Sequence, residues 1–110
     1  MAKAIYRNKG ETIEYTNPSS TEIVEAGTIV SFTSRIGVVA AEIPAGAIGR
    51  INVVGVYELP KTASLKITAG DLVYFSKTTN AVTKTDTDVP CGFAVADAAA
   101  SDTSVYVKIG

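Results

Sequence analysis

One short pattern recurs three times in this chain and limits what it can become. It reads Val24-Glu25-Ala26-Gly27-Thr28-Ile29-Val30, then Ile43-Pro44-Ala45-Gly46-Ala47-Ile48-Gly49, then Ile67-Thr68-Ala69-Gly70-Asp71-Leu72-Val73. In each copy an Ala-Gly pair stands between two aliphatic anchors. Glycine takes positive φ at little cost, so the pair predicts a tight turn, with Gly27, Gly46 and Gly70 as its structural residues. Pro44, just before the second pair, suits a chain already bent there. Each turn opens into a run such as Thr28-Ile29-Val30 or Leu72-Val73-Tyr74-Phe75 that favours extended backbone. The first and third copies stay alike beyond the turn. Ile29 to Thr33 is followed by Ile36-Gly37-Val38-Val39, and Leu72 to Ser76 by Asn80-Ala81-Val82-Thr83. Both read as strand, polar turn, strand, a weak internal repeat of about 43 residues that is too short for a stacked solenoid.

Elsewhere the signals are also those of strands. Lys3 to Arg7 is a short strand candidate, and Asn8-Lys9-Gly10 a turn. Glu11 to Thr16 alternates, with Ile13 and Tyr15 on one face and Glu14 on the other. The longest apolar run, Gly49 to Leu59, contains Gly55, which predicts a bulge. The two ends of the run would then serve different parts of one sheet. Pro60-Lys61 ends it. Ala63 to Ile67 fits a helical turn and a short strand equally well. Ala98-Ala99-Ala100 reads as a connector, and Thr103 to Ile109 as a closing strand with Val105, Val107 and Ile109 on one face and Tyr106 and Lys108 on the other. The sum is nine or ten short strands with a turn signal every ~8–12 residues and little or no helix, the pattern of a compact antiparallel β-sandwich or barrel. A β-clip type fold, in which such turns also occur, is the alternative. The expected organisation is one β domain over residues 1–110, sized to bury roughly 65% of its unfolded surface. Residues 1–9 read either as an extending N-terminal segment or as an edge strand.

The residue inventory excludes most chemistry. There is no histidine, so the usual triads, the commonest general base and most zinc sites are out of reach. Cys91 is the only cysteine; it has no partner for a disulfide or a nucleophilic pair, and its apolar run marks it as a small buried hydrophobe. Asp86 and Asp88, and Asp97 and Asp102, sit in polar loops without the frame of a calcium loop, and Glu11 and Glu14 face solvent in a strand pattern. The glycines form no nucleotide loop. The ten basic residues are scattered and the net charge is −1, so nucleic acid is not an expected partner. No apolar run approaches a membrane span, and the start Met1-Ala2-Lys3-Ala4 lacks an apolar stretch behind it, which predicts synthesis in a reducing cytosol. No enzyme, cofactor or metal is expected. Charged residues make up only 19% of the chain, below the usual ~25%. That leaves two readings: surface covered by a partner, or a β domain rich in small residues.

The order of the segments resembles a known family. Gly10 to Asn17, the Val24 to Val30 turn, Gly37-Val38-Val39, Ile43 to Gly49, Val54 to Lys61, Ile67 to Tyr74, Gly92-Phe93-Ala94 and Val105 to Ile109 together resemble the DUF2190 family of tailed-phage and prophage capsid cement, or head decoration, proteins. Cys91 is a local departure from that pattern. The resemblance implies a jelly-roll-like β fold and a non-enzymatic structural protein of the virion. Made in the bacterial host cytoplasm, it would bind the outside of the assembled head and stabilise it, with the major capsid protein and itself, as homo-dimer or homo-trimer, for partners. Candidate partner contacts are Ile5, Tyr6 and Arg7 of the N-terminal segment, and Tyr57 and Lys61 around the end of the long run. An ordinary edge strand and a strand end stopped by Pro60 explain these two segments as well. A small β module that binds carbohydrate is the competing function; exposed aromatic platforms would favour it, and the chain has no Trp and five Tyr.

Overall fold

The computed structural model describes residues 1–110 and contains nine strands and no helix. They are β1 (Thr12–Thr16), β2 (Ile29–Ser31), β3 (Ile36–Val39), β4 (Ile48–Asn52), β5 (Gly55–Pro60), β6 (Leu72–Ser76), β7 (Ala81–Thr83), β8 (Val89–Ala94) and β9 (Ser104–Ile109). They form two antiparallel sheets, ordered β1-β4-β3-β2 and β5-β9-β8-β6-β7. The compact all-β fold expected from the sequence is therefore present. Successive strands stay within one sheet, so each sheet is built from one contiguous half of the chain. The likeness to a jelly roll extends to the two-layer build and not to strand order.

Several local expectations are corrected. Lys3 to Arg7 forms no strand; residues 1–10 are exposed and lie outside both sheets. The Gly49–Leu59 run does not bend within one sheet. It divides at Val53-Val54, and β4 and β5 belong to different sheets. Ala63 to Ile67 is neither helix nor strand, and only Ile67 pairs, in a single bridge to Ala98. The irregularity in the second sheet falls instead in β8, where Val73 opposes Gly92 but Tyr74 opposes Pro90. Cys91 is the extra residue of that bulge, and a bulge is where a sheet interior tolerates proline.

The two sheets are copies of one plan. Replacing β1, β2, β3 and β4 by β5, β6, β8 and β9 turns the first strand order into the second, with β7 added at the edge. The registers agree. Ile29 opposes Val38 and Val30 opposes Gly37, as Leu72 opposes Phe93 and Val73 opposes Gly92. Val39 opposes Ile51 as Ala94 opposes Val107, and Ile13 opposes Ile51 as Tyr57 opposes Val107. The turns repeat as well: Val24 bridges Ile43, and Ile67 bridges Ala98. The three Ala-Gly turns close through Thr28 N–H to Glu25 O (3.2 Å), Ala47 N–H to Pro44 O (3.0 Å) and Asp71 N–H to Thr68 O (3.0 Å), with φ of 87°, 71° and 92° at Gly27, Gly46 and Gly70. A fourth turn, Ala99 to Asp102, holds the matching place without a glycine, closed by Asp102 N–H to Ala99 O at 3.0 Å. The repeat visible in the sequence is thus one part of a duplicated half.

Alternation along the strands gives each sheet a core face and an outer face. In the first sheet the core face carries Tyr15, Val30, Val39 and Ile51, closed over by Val24 and Ile43. In the second it carries Leu59, Val73, Phe75, Val105, Val107 and Ile109. The sheets join when Ile36 and Val38, from the outer face of the first, seat on the core face of the second.

Candidate interaction surface

Four aspartates are engaged in holding turns and loops. Asp71 Oδ2 accepts the Thr68 N–H at 2.9 Å, and Asp102 Oδ2 accepts the Ala99 N–H at 2.8 Å, the same staple in the third and fourth turns. Asp97 Oδ1 reaches across to the Ala69 N–H at 2.8 Å, and Asp88 Oδ2 accepts the Thr83 hydroxyl at 2.6 Å. The Thr68 amide, and then the Lys84 ammonium 3.1 Å away, hold the Asp71 carboxyl below its ordinary range. No group of three or more His, Cys, Asp or Glu side chains is placed to hold a metal ion. The Cys91 thiol is buried in the main core, and desolvation pushes its pKa up to about 12, which keeps it as an unreactive thiol. No helix is long and apolar enough to cross a membrane.

The residues singled out as partner contacts fall in two unlike places. Ile5, Tyr6 and Arg7 are exposed, Ile5 at 85% and Tyr6 at 79%. Tyr57 is half-buried against the main core. Lys61 is only 6% exposed. Its ammonium turns inward and donates to the carbonyls of Thr62 (2.9 Å), Leu65 and Ala100 (3.4 Å). Its counterpart in the first half is Asn17, whose Nδ2 donates to the carbonyls of Glu22 (2.8 Å), Ile43 (3.2 Å) and Pro44 (3.3 Å). The correspondence is fixed by the backbone, because Asn17 N–H binds Ala47 O and Lys61 N–H binds Thr103 O, both at 2.9 Å. Each residue ties the end of its half's first strand to the loops that cover the core face. The Lys61 head group therefore serves the protein's own loops, while the N-terminal three residues present a free surface.

The surface the sequence reading did not single out is apolar. Val56, Leu72, Phe93 and Tyr106 are all exposed on the outer face of the second sheet. Three of them lie in one row, Val56–Lys108–Phe93–Leu72, running directly across four strands. Only the Tyr106/Lys108 side of this face was legible beforehand, from the alternation of the last strand. Leu72 and Phe93 followed turn or apolar signals that suit a buried residue equally well.

Among protein families, the model described as "Phage cement protein" matches residues 7–109. No curated protein and no solved structure matches the chain.

Proposed function

The chain belongs to the phage cement protein family, and on that premise we propose that it binds the outside of the assembled phage head and stabilises it, without catalysing a reaction. The observation that carries this reading is the family match, which runs through both halves of the duplicated fold. What supports it in the structure is that Asp71, Asp97 and Asp102 staple turns and the lone thiol is buried.

The mechanism is linkage. A protein that binds the assembled lattice and not the free subunits favours the lattice by RT ln(1 + [L]/Kd) per site, about 2.7 kcal/mol when its concentration is 100 times Kd. Many sites on one shell add their contributions. The partners are the major capsid protein and further copies of the chain itself. Ala4-Ile5-Tyr6-Arg7 is the proposed capsid contact: its backbone groups are unpaired in either sheet, so it can add as a strand to an exposed sheet edge of a capsid subunit. The test is the thermal release of DNA from heads lacking the protein, before and after purified protein is added back. Release at a higher temperature after addition is expected. Identical release profiles, with the protein shown to be bound, would remove the stabilising role.

A further inference from the structure

The joint between the two halves is one-sided. The outer face of the first sheet carries the row Thr12–Asn52–Val38–Ile29, and its Val38–Ile29 end covers the core face of the second sheet. Under that cover Leu59, Val73, Phe75 and Ile109 are buried. Nothing in the chain returns the favour. The residues in the same places of the first sheet, Tyr15, Val30, Phe32 and Val53, are only partly buried, against the smaller cluster of Val39, Ile43 and Ile51. At the edge of that face Ile13 is 41% exposed, whereas its counterpart Tyr57 packs against the main core. The first half therefore has an apolar core face with its own loops in place but without the layer that completes its twin.

The missing layer exists elsewhere on the molecule. The row of the second sheet that corresponds to Thr12–Asn52–Val38–Ile29 is Val56–Lys108–Phe93–Leu72, and it is bare, with Leu72 68% and Phe93 40% exposed. The second sheet's row is uncovered, and the first sheet's core face is covered by its own loops alone, with Ile13 exposed at its edge. Both surfaces are largely apolar and belong to one chain, but they lie on opposite outer sides of the stacked sheets, so one copy cannot satisfy itself. We infer that they meet between copies: Leu72 and Phe93 of one chain cover the Ile13–Tyr15–Val30 face of the next, in the same arrangement by which Ile29 and Val38 cover the second sheet within a chain. The occupant is a second copy because the complementary layer is the same strand plan, already seen seated on such a face. The two contact surfaces differ, so the joint is head-to-tail, and a head-to-tail joint whose rotation closes makes a ring. This joint is a property of the chain in solution and holds or fails independently of head binding.

Two variants test it, both at exposed positions so that the fold is retained, which circular dichroism verifies. Leu72→Glu breaks the covering surface and Ile13→Glu the covered one. At ~100 µM, where a joint of micromolar Kd is saturated, sedimentation should give a discrete oligomer for the wild-type chain and the mass of one chain for each variant alone. Mixed in equal amounts, the two variants should form a one-to-one dimer, because each retains the surface the other lacks. A wild-type chain that sediments as a monomer would overturn the inference. So would a Leu72→Glu chain that assembles like wild type, or a mixture that stays monomeric.

Discussion

Asn17 and Lys61 perform one task with different head groups: each buries a donor that satisfies backbone carbonyls of the loops closing its half. Buried carbonyls left without donors cost about 1–3 kcal/mol. Asn17→Ala should therefore lower unfolding free energy by about 2–3 kcal/mol in denaturant titration. Lys61→Met should lower stability too, while leaving head binding per folded molecule unchanged. Gly92 is a second singular position. Its φ is 132°, and an added Cβ would run into the Lys108 carbonyl of β9, so Gly92→Ala should cost several-fold more than Gly46→Ala, where the Cβ meets open space and the cost is ~1 kcal/mol of positive-φ strain. Cys91 should resist thiol reagents until the protein unfolds. Its raised pKa favours the folded state fully below the ordinary thiol value of 9.0, and that contribution is lost as pH rises from there toward about 12. The burial of Cys91 was legible in its apolar run. The inward turn of Lys61 was not, since a lysine after proline at a strand end reads as solvent-facing. Only its structural equivalence with Asn17, which needs the strand pairing, reveals it.

Each half uses four strands, and the elements that differ between halves are the informative ones. Between β2 and β3 the chain turns in one step, closed by Phe32 N–H to Arg35 O at 2.8 Å. Between β6 and β8 it inserts β7, whose Val82 joins the main core. Strand existence is readable from alternation for β1 and β9, and from the Ala-Gly turns for β2 and β6. Sheet membership was not readable for β4 and β5. A continuous apolar run with an internal glycine gives the same local pattern whether it bulges within a sheet or crosses between sheets, and tertiary pairing decides. The N-terminal segment was ambiguous for a related reason: Lys3 to Arg7 has strand composition but finds no partner strand within its own chain. Deleting residues 1–9 should shift unfolding free energy by no more than about 0.5 kcal/mol, because exposed residues outside the sheets contribute little. The same deletion should reduce retention on heads. Full retention by the truncated protein would remove the N-terminal contact from the account.

The molecule as a whole is flat, 45 × 40 × 22 Å, with a radius of gyration of 15.2 Å where about 13 Å is usual for this length. Two half-folds joined face to back, together with the exposed N-terminal residues, produce that shape. The halves share one core through Ile36 and Val38, so thermal unfolding should be a single transition by both near-UV and far-UV signals. Ile36→Ala should lower stability by about 2–4 kcal/mol, and a transition that splits in two on that change would mean the halves hold themselves independently. A flat, low-charge molecule with an exposed N-terminal segment suits a protein laid on a lattice. Heads of the parent phage lacking this protein provide the direct test. Purified protein is added to compact procapsids and to expanded heads, the particles are pelleted, and bound copies are counted against major capsid subunits. Saturable retention on expanded heads at a fixed ratio, with weaker retention on procapsids, is expected. No retention on either particle would contradict the proposed head binding.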